Sequence, residues 1–111
     1  GKQDRLAVIQ NYHTKVFARF IDRMVKTPEG NGSLLDHSMV LYGSNMSDSN
    51  RHNNDPLPSA ILGHAKGRIK GGQHLHYPQD AKHANLLLTI LERTEIPIES
   101  IGDSDDTLSE V

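Results

Sequence analysis

The chain has no cysteine and no tryptophan, and aromatic residues make up only 5% of its 111 residues. Without cysteine there is no disulfide framework, no thiolate zinc finger and no cysteine nucleophile. The compartment stays open on that ground, since a cysteine-free chain suits an oxidising or a reducing one. Basic excess is lacking too: 12 Lys and Arg stand against 14 Asp and Glu, a net charge of −2 with histidine neutral. This argues against nucleic acid or an anionic membrane as the main partner. No apolar run approaches the ~20 residues of a membrane span, and no signal peptide is visible. The chain starts at Gly1 rather than Met, so an upstream region is expected to be absent from it.

Hydrophobic residues are also sparse, at 35%. A length of 111 residues suffices for one domain with a modest core, but this composition is lean for a domain that stands alone. Residues 1–111 are therefore either a marginal single domain or the C-terminal fragment of a larger α/β domain. The fragment, burying its faces against sequence outside the chain, is the expected case. What the chain has in plenty is histidine, seven residues. Each can gain charge near pH 6–7, so acidification turns the chain basic.

From about Asp4 to Lys26 the apolar residues Leu6, Ile9, Val16, Phe20 and Met24 recur at helical spacing, widened by Tyr12, Phe17 and Ile21. Pro28, Gly30 and Gly32 stop this long amphipathic helix. Ser38–Tyr42 is a short apolar run without alternation, which predicts a strand buried on both faces in a parallel sheet. Ser59–Gly63 reads as a second strand and Gln73–Tyr77 as a third. Lys66–Gly72 between them is a basic, glycine-rich turn; it lacks the Lys-Ser/Thr ending of a P-loop. A second helix is expected from Ala84 to about Thr94, apolar over a wide arc and stopped before Pro97. Residues 103–111 read as a flexible acidic tail, or as a cover for a neighbouring surface.

Between the first two strands lies SNMSDSNRHNND, residues 44–55. In open α/β sheets ligands bind beyond the carboxyl ends of strands, which is where this loop stands. Carboxylate oxygen and imidazole nitrogen are suitable ligands for zinc or another divalent ion, so Asp48, His52 and Asp55 are candidate metal ligands. Ser44, Asn45 and Asn50 are candidate ligand-binding groups around them. The spacing matches no short metal motif such as HExxH, and Asp and Asn are also ordinary turn formers. For acid–base chemistry His52 could pair with Asp48 or Asp55; for nucleophilic chemistry there are Ser44 and Ser47, without a GxSxG elbow around either. His74 and His76, two apart, share a face if Gln73–Tyr77 is a strand, which adds His74 as a ligand-binding candidate.

LLDHSMVLYGSNMSDSNRHNNDPLPSAILG, followed by GRIKGGQHLHYP and ANLLLTILERTEIPIESIGDS, resembles the C-terminal part of a bacterial family of largely secreted proteins of unknown function, known for an HXXSHH motif. The resemblance covers essentially the whole chain from the first helix onward. That family is similar in turn to sulfatase-like proteins of the alkaline-phosphatase-like superfamily. The resemblance implies an α/β fold: the C-terminal portion of an alkaline-phosphatase-like sheet, with a long N-terminal helix, short strands and a C-terminal helix. It implies an extracytoplasmic or periplasmic location, a divalent metal such as zinc or manganese, and hydrolysis of a small anionic phosphate or sulfate ester. His52 matches the histidine that follows the strand in the larger set, and Lys70-Gly71-Gly72 matches its glycine turn. Two departures stand out. Ser44 occupies the place of a glutamate, and the HXXSHH motif is absent, as is any nucleophile with an adjacent metal-binding carboxylate. The chain would then supply part of a metal site and be inactive alone, its main partner being the missing N-terminal part of the same protein. The alternative is a non-catalytic relative that keeps the fold and binds a ligand or partner at the same strand ends.

Overall fold

The computed structural model describes residues 1–111 and is mixed α/β, with two helices and two small antiparallel sheets. Helix α1 spans Lys2–Lys26. Asp4 lies in its first turn and Arg23 and Lys26 in its last, each placed to complement the helix dipole. Thr27 leaves the helix in an extended conformation, and Pro28 cannot continue it.

Strands β1 (Pro28–Glu29) and β2 (Gly32–Ser33) form a minimal hairpin turned at Gly30, whose φ is +54°. Glycine reaches this left-handed region without strain. The hairpin is tied back to α1 by the Leu34 N–H on the Thr27 carbonyl at 2.8 Å. Beside it, the backbone N–H and hydroxyl of Ser33 both donate to Asp36 Oδ2 at 2.8 Å. These two bonds hold the Asp36 carboxyl below the usual carboxylate range.

Strands β3 (Val40–Gly43) and β4 (Ser59–Leu62) pair in antiparallel register, Val40 opposite Leu62 and Gly43 opposite Ser59. The expectation of a parallel sheet buried on both faces is thus corrected. The partner of β3 is the strand that follows it after a long loop, and Leu41 and Tyr42 remain exposed. Gln73–Tyr77 forms no strand, so no ladder places His74 and His76 on a common face. An apolar run says that a segment is bound for burial, but not in which sheet or against which neighbour.

The two faces of the β3–β4 pair meet different neighbours. Tyr42 stacks on Phe17 of α1, ring centroids 4.0 Å apart. On the other face Ile61 packs against a small core of Ala65, Ile69 and Val111, which Leu75, Leu86 and Leu108 border. Ala65 belongs to a 3₁₀ turn, Ala65–Gly67, entered through Gly63 at φ +101°. A Cβ at Gly63 would collide with the Ser38 and Leu35 carbonyl oxygens, so the close approach requires glycine. The N–H groups of Gly67, Arg68 and Ile69 donate to the His64 carbonyl, and that of Lys66 to Asp36. These bonds take up the N–H groups of the first four residues of the basic glycine-rich turn.

Helix α2 spans His83–Arg93. Residues 105–111 run along it in the same direction, Asp105 by its start, Leu108 by Thr89 and Val111 by its end. Asp105 receives Lys82 Nζ at 2.5 Å and Asn85 Nδ2 at 3.0 Å, and the Val111 carbonyl receives Arg93 at 3.2 Å. The whole is open. Only six of 111 residues are buried, and the Cα radius of gyration is 15.9 Å, against about 13 Å for a compact domain of this length. Along α1, Leu6, Ile9, Tyr12, Val16 and Phe20 stay exposed, Tyr12 by 63%. No helix is long and apolar enough to cross a membrane.

Candidate functional site

The polar stretch 44–55 forms most of the connection between β3 and β4 and closes on itself. Asp48 Oδ1 accepts the backbone N–H groups of Asn50 at 2.9 Å and Arg51 at 3.3 Å. This is the Asx turn that Asp favours, its short side chain bonding the chain two residues on. Asn53 reaches back, its Oδ1 accepting the Asp48 N–H at 3.1 Å. An isolated bridge pairs the same two residues, and the Ser47 N–H donates to the Asn53 carbonyl at 2.9 Å. Arg51 Nε stands 3.6 Å from Asp48 Oδ2. At the strand end, Ser44 Oγ accepts the Met46 N–H at 3.2 Å.

His52 sits at the turn of this small structure with φ +56°, a region where Asn, Asp and His are several-fold enriched among non-glycine residues. It is exposed, and the bonds that close the loop run through Asp48 and Asn53 rather than through its ring. The loop therefore engages the Asp48 carboxylate internally and displays the His52 imidazole.

The predicted site residues are not brought together. Ser44 lines a hollow of about 490 Å³ against α1, beside Gln10 and His13. Asp55 lines a different cleft, of about 570 Å³, with His76, Asp80 and His83. His74 belongs to a third hollow, of about 360 Å³, by Gly71 and Gly72. No three His, Asp or Glu side chains gather anywhere in the chain to hold a metal. As a three-ligand set, Asp48, His52 and Asp55 do not gather around one point: Asp48 is taken up by the turn, and Asp55 faces a separate cleft.

Sequence reasoning passed over the cleft that includes Asp55. Its second wall is HYPQDAKH, residues 76–83. The signal was there in the density of polar side chains around Pro78, but the strand expected over Gln73–Tyr77 takes in only His76 and Tyr77, and the helix expected from Ala84 begins beyond this wall. Tyr77 in that wall has its phenol pushed up by partial burial, with Glu110 adding to the effect through charge and a 3.3 Å hydrogen bond. At its far end Lys82 is raised chiefly by the hydrogen bond to Asp105, which is itself lowered chiefly by the same bond. No protein-family model, curated protein or solved structure matches the chain.

Proposed function

We propose that this chain is the C-terminal part of a larger extracytoplasmic α/β protein similar to the HXXSHH-motif family. In this reading its polar loop presents His52 to a site for a small phosphate or sulfate ester, and residues outside 1–111 complete that site. The observation that supports it most is the division of labour within the loop. Asp48 and Asn53 fix its shape, and His52, at the turn they close, is exposed and takes no part in those bonds. An imidazole so placed can donate to an ester oxygen when protonated, or accept a proton when neutral.

The open core supports the same reading. Six buried residues and an exposed apolar stripe along α1 leave more apolar surface than an isolated soluble domain usually shows. The missing N-terminal part of the same protein is the partner that would cover it. A zinc or manganese ion, which the family resemblance implies, would take one imidazole nitrogen from His52 and its other ligands from that part. When bound, such an ion polarises an ester oxygen.

A second reading, a non-catalytic relative that binds a ligand or partner at this loop, is favoured by one observation. Ser44 stands where the sulfatase-like proteins carry a glutamate, and its hydroxyl is engaged by its own backbone. Elemental analysis of the full-length protein separates the two. About one equivalent or more of zinc or manganese, with turnover of 4-nitrophenyl phosphate or sulfate, supports the hydrolase. A metal-free protein that binds these esters without turning them over supports the non-catalytic relative.

A further inference from the structure

The cleft of about 570 Å³ beyond the polar loop has a chemistry of its own. It runs between the end of the β3–β4 connection, residues 54–59, and the segment 76–84 that leads into α2. Its volume lies in the range of small-molecule sites, roughly 300–1,000 Å³. Leu57, Leu86 and Leu108 supply its apolar part, and Leu86 and Leu108 border the core. Around them stand Asp55, His76, Tyr77, Asp80, His83 and Asp103.

The charges decide against an anion. Three carboxylates line the cleft against a single ammonium, that of Lys82, and Asp105 already holds that ammonium at 2.5 Å. With both imidazoles neutral the lining repels a phosphate or sulfate group. It equally lacks a metal set. What it offers is acceptors. Ionised carboxylates only accept hydrogen bonds, and Asn54 and Gln79 amides and neutral imidazoles both accept and donate. Tyr77 adds an amphipathic ring, and its hydroxyl is held by Glu110 at 3.3 Å. A neutral ligand dense in hydroxyl groups satisfies such a lining without bringing a charge to desolvate.

We propose that this cleft binds a saccharide unit, its hydroxyls donating to Asp55, Asp80 and Asp103 and its apolar face resting on Tyr77 and the leucines. The site goes beyond the polar-loop reading and stands without it, since no ester and no role for His52 enters it.

Saturation-transfer NMR on the full-length protein tests this with the methyl glycosides of glucose, galactose, mannose and N-acetylglucosamine, beside putrescine and 4-nitrophenyl phosphate. The expected result is transfer to the ring protons of at least one glycoside. It should fall at least about threefold in Asp80→Ala and in Asp103→Ala, both on the surface, with circular dichroism unchanged. Three results overturn the proposal: no transfer to any glycoside, transfer that both variants leave intact, or transfer to putrescine or the phosphate ester alone. Ester turnover is not read, so failure of the polar-loop reading leaves this outcome untouched.

Discussion

Thr89 Oγ1 accepts the Leu108 N–H at 2.7 Å while donating to the Asn85 carbonyl at 2.7 Å, and Thr89 is the one side chain of the protein with no solvent exposure. A helix hydroxyl thus docks the C-terminal segment. Thr89→Val keeps the shape and removes the acceptor, leaving the Leu108 N–H unsatisfied. Unfolding should become easier by about 1–3 kcal/mol, read as a lower urea midpoint at unchanged slope. A midpoint equal to wild type would show that the segment is not held there.

The neighbouring clamp between Lys82 and Asp105 makes that docking pH-dependent. Asp105 is lowered in the folded chain, so its contribution is full above its ordinary value of 3.8 and is lost as pH falls through the lowered one. Lys82 is raised, so its contribution is full below 10.5 and is lost as pH rises through the raised value. The amide shift of Leu108 should stay constant from about pH 5 to 9 and move only below about pH 4 or above about pH 10. A transition centred near pH 6 would instead assign control to a histidine.

Asp48 separates a turn former from a metal ligand. Its Oδ1 caps two backbone N–H groups, and an asparagine carbonyl can do the same. Asp48→Asn should therefore leave the loop and any zinc or manganese content of the full-length protein unchanged. Asp48→Ala should cost about 0.5–1.5 kcal/mol in loop stability, visible as faster amide exchange at Asn50 and Arg51. Loss of metal in the asparagine variant would make Asp48 a ligand after all.

The exposed stripe on α1 carries its own test. Ile9 is half exposed in this chain. Ile9→Asp should change the stability of 1–111 alone by no more than about 0.5 kcal/mol. If an upstream part of a longer protein covers the stripe, as proposed, the substitution should cost about 2 kcal/mol or more in that protein. Equal small effects in both would contradict the fragment reading.

The helices were legible in the sequence because their signals are local. The 3.6-residue stripe and Pro28 place α1 within two residues, and the leucine arc places α2 within one. The β elements were legible only as segments. Val40–Gly43 and Ser59–Leu62 form where apolar runs predict strands, but their antiparallel pairing depends on a long-range partner that no local pattern names. Gln73–Tyr77 has the composition of a strand and no partner to pair with, so it stays irregular. At the loop, residue types marked a polar stretch but not the part each side chain plays in its structure. Asp48 and His52 look alike as ligands until the backbone shows one closing the turn and the other displayed on it. The cleft by Asp55 was hidden because its walls are some 20 residues apart in sequence and meet only through the fold.

The central claim, that His52 is the loop's contribution to an ester site completed elsewhere in the protein, is tested most directly by one comparison. It is kcat/KM for 4-nitrophenyl phosphate and 4-nitrophenyl sulfate in the full-length protein and its His52→Ala variant, with matched circular dichroism. His52 is exposed and outside the bonds that close the loop, so the variant keeps those bonds, and the strain of alanine at φ +56°, about 1–2 kcal/mol, is what the matched circular dichroism checks. The predicted result is a loss of about 10²-fold or more, the usual contribution of a positioned acid–base group. Turnover unchanged by the substitution would contradict the account.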